Sequence, residues 1–143
     1  MDIIEYYKYM TLPWKPRGRD LEKDGGVDCW GLVLLIYKDF YDLSLDDFES
    51  ISPSNGYTAT SEQISSAICG YKDFKEITDA PKQAVANDIV IFNAAGQPLH
   101  AGVCLDNKRF MHMDRNSGVT VGKFNSMEWK NRIQGIYRYK ANI

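Results

Sequence analysis

The chain has 143 residues, with 17 basic side chains against 19 acidic ones and a formal net charge of −2, and 44% of its residues are hydrophobic. That apolar fraction excludes disorder, and a length near ~150 residues predicts one domain, 1–143, that can bury roughly two-thirds of its unfolded-chain surface. The near-zero charge argues against a stand-alone nucleic-acid binder, which needs clustered Lys and Arg facing phosphates.

The first residues, Met1-Asp2-Ile3-Ile4-Glu5-Tyr6, carry acidic charge where a secretory signal carries basic charge. A short helix is expected from Ile3 to Met10. From Leu12 to Gly26 the chain holds Pro13, Pro16, Gly18, Gly25 and Gly26, a composition that predicts irregular structure. The strongest predicted helix opens at Asp28, a good N-cap, and runs to about Tyr41, with Cys29 in its first turn. Apolar residues surround nearly all of it, which predicts a central, buried helix rather than an amphipathic one. Its run Leu32–Tyr37 is far shorter than the ~20 residues that cross a bilayer, so no membrane insertion is expected. A second helix is predicted from Thr60 to Cys69, with Gly70 as its C-cap.

From Ile89 the pattern changes to strands. Ile89–Phe92, Leu99–Leu105, Arg109–Met113, Val119–Val121 and Gly135–Tyr139 read as five strands separated by turn residues. Helices first and antiparallel strands later give an α+β class, with N-terminal helices packed on an antiparallel sheet.

Three cysteines and two histidines carry the candidate chemistry. The odd cysteine count argues against a complete disulfide framework, and a reducing cytoplasm is the expected site of synthesis. Cys29 at a helix N-terminus faces unpaired backbone N–H groups and the positive end of the dipole, which predicts a lowered thiol pKa and a raised thiolate fraction. The alternative is a small apolar side chain in a buried helix. Gly31 weakens that alternative, because a helical glycine is costly unless something must approach closely. Cys69 and Cys104 read as core thiols.

His100 alternates with Gly102 and Cys104 on one strand face, while Leu99, Ala101, Val103 and Leu105 take the other. With a three-residue loop of Asp106, Asn107 and Lys108, Gly102 opposes His112. The two histidines then become diagonal neighbours on one face, and Gly102 leaves room between their rings. A two-residue loop would send His112 to the opposite face. The chemical reading is a Cys29–His100 dyad oriented by His112. The two histidines could equally be satisfied structural residues. A zinc site from Cys29, His100, Cys104 and His112 is disfavoured, since ligands four apart on a strand lie ~13 Å apart. No metal and no cofactor are expected. Trp14 is the aromatic favoured for a wall of the substrate groove, and Asp28 reads as a cap first and a substrate contact second.

Gly25-Gly26-Val27-Asp28-Cys29-Trp30-Gly31-Leu32-Val33 resembles the nucleophile motif of the NlpC/P60 cysteine peptidases. His100-Ala101-Gly102-Val103 resembles their histidine strand, and Arg109-Phe110-Met111-His112 with Ser117-Gly118-Val119 resembles the strand that bears the third polar residue. Trp30 stands where a serine is usual, and Pro13-Trp14 where Pro-Tyr is usual. These departures and the ending Trp129–Arg138 resemble phage-encoded members associated with tail assembly and the tail tip. The resemblance implies a papain-like fold, with Cys29 as nucleophile, His100 as base, His112 as orienter, and Trp30 beside the substrate. It implies hydrolysis of peptidoglycan stem peptides, typically at the γ-D-glutamyl–diaminopimelate link. It further implies partners among tail-tip or tail-assembly proteins and a place in the virion. A structural tail-tip component with little or no hydrolysis is the competing expectation.

Overall fold

The computed structural model describes residues 7–16, 18–46, 68, 72–93 and 100–142. Within these, a short helix α1 (Leu21–Asp24) and a long helix α2 (Cys29–Tyr41) precede strands β1 (Phe74–Glu76), β2 (Ile89–Phe92), β3 (His100–Cys104), β4 (Arg109–Asp114), β5 (Gly118–Lys123) and β6 (Ile133–Tyr139). The strands form one antiparallel sheet in the order β1-β6-β2-β3-β4-β5. The class is α+β, as the order of helical and strand patterns predicts.

Helix α2 begins where Asp28 caps it: the Asp28 carboxylate accepts from the Gly31 N–H at 2.7 Å. It ends at Asp42, which takes the left-handed conformation (φ 50°) and donates its N–H to the last turn. The helix lies on β3 and β4, burying Trp30, Leu32, Val33, Ile36 and Tyr37 against Ala101, Val103, Met111 and Met113. Its opposite side is more open than the apolar sequence predicts. Leu34 and Leu35 are only partly buried and, with Lys38 and Leu21, line a groove of about 730 Å³.

Strand β2 explains its own unbroken apolar run. Ile89 and Ile91 enter the core under α2, while Val90 and Phe92 enter a second core on the other face with Cys104, Phe110, Phe124 and Trp129. A strand covered on both faces has no reason to alternate.

Three expectations need adjustment. Of the first predicted helix Tyr7–Met10 is described, and Tyr7–Tyr9 of it forms a single 3₁₀ turn. The segment read as irregular contains α1, capped by Asp20 accepting from Glu22 and Lys23 N–H and closed by Gly25 at φ 79°. Strand β1 was not foreseen: it is three residues long and pairs Phe74 with Tyr139 at the sheet edge. The helix expected at Thr60–Cys69 lies outside the described residues except for Ile68, which is helical and buried. Among the described residues no helix is long and apolar enough to cross a membrane.

Candidate active site

The register of the β3–β4 hairpin pairs Gly102 with His112, as a three-residue loop requires. His100 and His112 therefore share a face, and His100 Nε2 lies 2.9 Å from His112 Nδ1. Their rings meet edge to face, 4.9 Å between centroids and 82° between planes. Gly102 makes the approach possible. A Cβ there would sit 2.7 Å from the Met111 carbonyl oxygen and 3.3 Å from the His112 Cβ.

Cys29 packs with the core on the α2 side of the sheet. Its sulfur accepts a hydrogen bond from the backbone N–H of Ala101, the residue after His100. The close approach foreseen at Gly31 is that of the preceding loop: a Cβ on Gly31 would lie 2.1 Å from the Gly18 carbonyl oxygen. That same oxygen accepts from the Asp28 N–H at 2.9 Å, so the loop at residue 18 is fastened to the first turn of α2.

The electrostatics reverse one expectation. The Cys29 thiol is not lowered; burial, then the adjacent Asp28 carboxylate, push it up to about 12. The Ala101 and Trp30 N–H groups and the Arg19 guanidinium pull the other way and lose. Both imidazoles are held in the neutral form. Burial and then the neighbouring His112 bring His100 down to about 3, and burial brings His112 down to about 4 against the opposing pull of Asp114. At neutral pH the three groups are a thiol and two uncharged rings.

The remaining predicted contacts separate. Asp28 is committed to structure: besides capping α2, both its oxygens lie 3.1–3.2 Å from Arg19 Nε, and the pair is largely buried. Trp30 is fully buried, with its indole N–H on the Asp46 carbonyl at 2.9 Å, so it offers no surface to a substrate. The ring that the resemblance places beside the substrate instead fills the core between α2 and the sheet. Trp14 is exposed, and the Arg115 guanidinium lies over its ring at 5.5 Å. Cys104 is fully buried, as a core thiol should be, and Cys69 lies outside the described residues. Among the described residues no three His, Cys, Asp or Glu side chains are grouped so as to hold a metal ion.

Two participants were not anticipated. Arg19 stands one residue pair away from the thiol, through Asp28. Trp129 lies flat against His100, 5.0 Å between centroids and 17° between planes. Arg19 follows a glycine in a charged loop, and Trp129 stands far along the chain, so neither carried a spacing signal.

The profile of the NlpC/P60 family matches residues 7–138. The chain belongs to the NlpC/P60 family. Among curated proteins it is 30% identical over 122 residues to tail tip assembly protein K of Escherichia phage N15, covering 81% of this chain. The chain spans about half of that relative's length, 46%. Among solved structures, the NlpC/P60 domain of the peptidoglycan hydrolase SagA superposes with a TM-score of 0.61 at 18% identity, covering 95% of this chain and 94% of that one. A lipoprotein-like NLP/P60 protein from Staphylococcus aureus gives 0.59 at 20% identity, over 96% of this chain and 39% of its own. These likenesses are of fold, and the fold is that of NlpC/P60 domains.

Proposed function

We propose that this NlpC/P60 chain is a thiol peptidase that cuts peptide bonds in peptidoglycan stem peptides, at the γ-D-glutamyl–diaminopimelate link. In this reading Cys29 is the nucleophile, His100 the base and His112 the orienting residue. The observation that carries it is the 2.9 Å contact of His100 Nε2 with His112 Nδ1.

That contact restricts the tautomers. For His100 to accept a proton at Nδ1, its own proton must sit on Nε2 and be donated to His112 Nδ1. His112 then carries its proton on Nε2. As the Cys29 sulfur bonds to the scissile carbonyl carbon, its proton passes to His100 Nδ1. The imidazolium so formed gives that proton to the departing amine, leaving a thioester. Water, losing a proton to His100, attacks the thioester and releases the carboxylate and the free thiol. A thiol near 12 and an imidazole near 3 make a standing thiolate–imidazolium pair unfavourable, so in this reading proton transfer accompanies attack. Trp14, exposed with the Arg115 guanidinium over its ring, is the aromatic this reading offers the stem peptide as a wall.

The relationship to a phage tail tip assembly protein supports a place in the virion tail, after synthesis in the host cytoplasm, beside tail-tip or tail-assembly proteins. The tail then supplies delivery to the wall, since a net charge of −2 offers little attraction to an anionic polymer. The same relationship, together with the raised thiol, favours a second reading, a tail-tip component that keeps the fold with little hydrolysis. Incubating the protein and its Cys29→Ala variant with purified muropeptides separates the two. Cleavage that disappears with Cys29 supports the peptidase. No Cys29-dependent cleavage of any stem peptide leaves the structural role.

A further inference from the structure

The second core on the face away from α2 is built unlike a generic apolar core, because its aromatic rings converge on the two histidines. Phe92 lies 5.7 Å from His100 between centroids, and Phe110 lies 5.0 Å from His112. Trp129 closes the cluster, stacked on His100 and edge-on to His112 at 5.1 Å and 77°. Its far position is fixed from outside by Arg132, whose guanidinium lies 4.9 Å from the Trp129 ring centroid. Arg132 is itself held in place. Its Nε donates to the Asn93 carbonyl at 3.3 Å, its Nη1 to the Glu128 carbonyl at 3.2 Å, and its own carbonyl accepts from Asn93 N–H at 2.5 Å.

A tryptophan that only filled volume would not need to lie parallel to one imidazole or to carry a clamped cation on its ring. We propose that Trp129, braced by Arg132, is the positioning residue of the histidine pair: it fixes the His100 ring so that Nε2 stays on His112 and Nδ1 is left to take the thiol proton. The proposal rests on the peptidase reading for its consequence in catalysis, but the positioning itself is observable without a substrate.

The physical account has two parts. Stacking fixes His100's side-chain torsions, so the tautomer that can act as base is selected before substrate arrives. The indole face also favours the positive charge that His100 acquires during attack, as an aromatic quadrupole favours any cation over its face. Arg132 opposes that charge and helps to keep the resting ring neutral. The charged and titratable groups acting on His100 are thus His112 and Asp114 from β4 and Arg132 from the β5–β6 connection. Asp114 favours the protonated form of both rings, while its own carboxylate accepts from Asn116 and Ser117 N–H. Trp129 tips the balance only when the proton arrives.

The test uses the full chain with Trp129→Leu, Trp129→Phe and Arg132→Gln. The sequence has only two histidines, so nitrogen NMR resolves both rings and reports tautomer and titration directly. The pH profile of Cys29 modification by a small disulfide reagent is the second readout. Muropeptide turnover is the third. In Trp129→Leu water admitted beside the rings removes the burial that lowers them most, which outweighs the lost indole attraction, so both should titrate nearer the ordinary value of about 6.5 and lose the single tautomer. Turnover should then fall at least tenfold in kcat with KM within twofold. Trp129→Phe keeps a ring on His100 and should restore turnover to within a few-fold. Arg132→Gln should raise the His100 titration by about one pH unit. A folded Trp129→Leu protein with unchanged tautomer, titration and Cys29 profile overturns the proposal. If Trp129→Leu does not fold, an Arg132→Gln protein whose His100 titrates as in the wild type overturns it. A wild type that cleaves no muropeptide refutes the peptidase reading alone, because the ring titrations and the thiol profile still decide the positioning role.

Discussion

Asp28→Asn isolates the electrostatic brake on Cys29 from the helix cap. Asn caps a helix about as well as Asp, so the bond to the Gly31 N–H is kept while the charge is removed. Two unit charges ~5–6 Å apart at an effective dielectric of ~20 interact by about 3 kcal/mol, roughly two pKa units, and Asp28 directly precedes Cys29. Arg19, no longer neutralised, pulls the thiol in the same direction. Well below its pKa, a thiol gains about tenfold in thiolate per unit of lowering, but nucleophilicity falls with a Brønsted slope of ~0.4–0.5. The net expectation is about a tenfold faster reaction of Cys29 with an aromatic disulfide reagent near pH 8. Peptide mapping of the modified protein checks it, with the fully buried Cys104 as an internal monitor of unfolding. The same change leaves a largely buried guanidinium without its carboxylate, so the fold should lose about 2–3 kcal/mol. A Cys29 rate that stays level or falls while Cys104 remains protected would refute the reasoning. So would a rise in both cysteines together, which reports opening rather than electrostatics.

Three further outcomes follow from the same contacts. Gly31→Ala should lower Tm by about 3–10 °C, because the new Cβ would stand 2.1 Å from the Gly18 carbonyl oxygen and 2.9 Å from the Val27 Cβ; an unchanged melting curve counts against that clash. Arg138→Met should cost about 3–5 kcal/mol in urea unfolding, since it strips the fully buried Asp88 of guanidinium bonds of 2.8 and 2.9 Å; adding Asp88→Asn should recover part of the loss. Acid should weaken the fold through the histidines. Their folded values, about 3 and about 4, lie below the unfolded ~6.5, so between those limits the unfolded chain binds more protons and stability falls as pH drops. Replacing both histidines by Gln should flatten the urea midpoint between pH 6.5 and 4, and an undiminished slope would place the acid sensitivity elsewhere.

Local rules carried the sequence reading as far as they reach. Asp28 before an apolar run predicts where α2 starts, and three turn residues between two apolar strands predict that Gly102 faces His112. The second inference is strong because a one-residue slip would have turned His112 to the other face. Helix α1 was legible too, in Asp20 and Gly25 as its two caps, but the surrounding prolines and glycines outweighed a four-residue element. Strand β1 had no such signal. Phe74 is its one buried residue, and it is a strand only because β6 offers an edge. Trp30 misled for a related reason. Position in a motif fixes where a residue sits along a helix, whereas its depth depends on what the sheet later covers.

The charge state of the site lies beyond any one-dimensional pattern, and magnitudes show why. A helix N-terminus is worth about 0.3–1 kcal/mol to a nearby anion, less than one pKa unit. Removing a thiolate from water can cost several units, and it depends on β3 closing over α2 from seventy residues further along the chain. The sequence places Cys29 at the dipole but says nothing of that closure, so the smaller effect was visible and the larger one was not. The same asymmetry hides Trp129. It reaches His100 from the β5–β6 connection, which Arg132 ties to the residue after β2 through the Asn93 backbone carbonyl and N–H. Backbone acceptors leave no trace in residue identity. A site assembled this way holds its thiol and both rings uncharged at neutral pH, so in the proposed peptidase mechanism the proton leaves the sulfur only as a substrate carbonyl meets it.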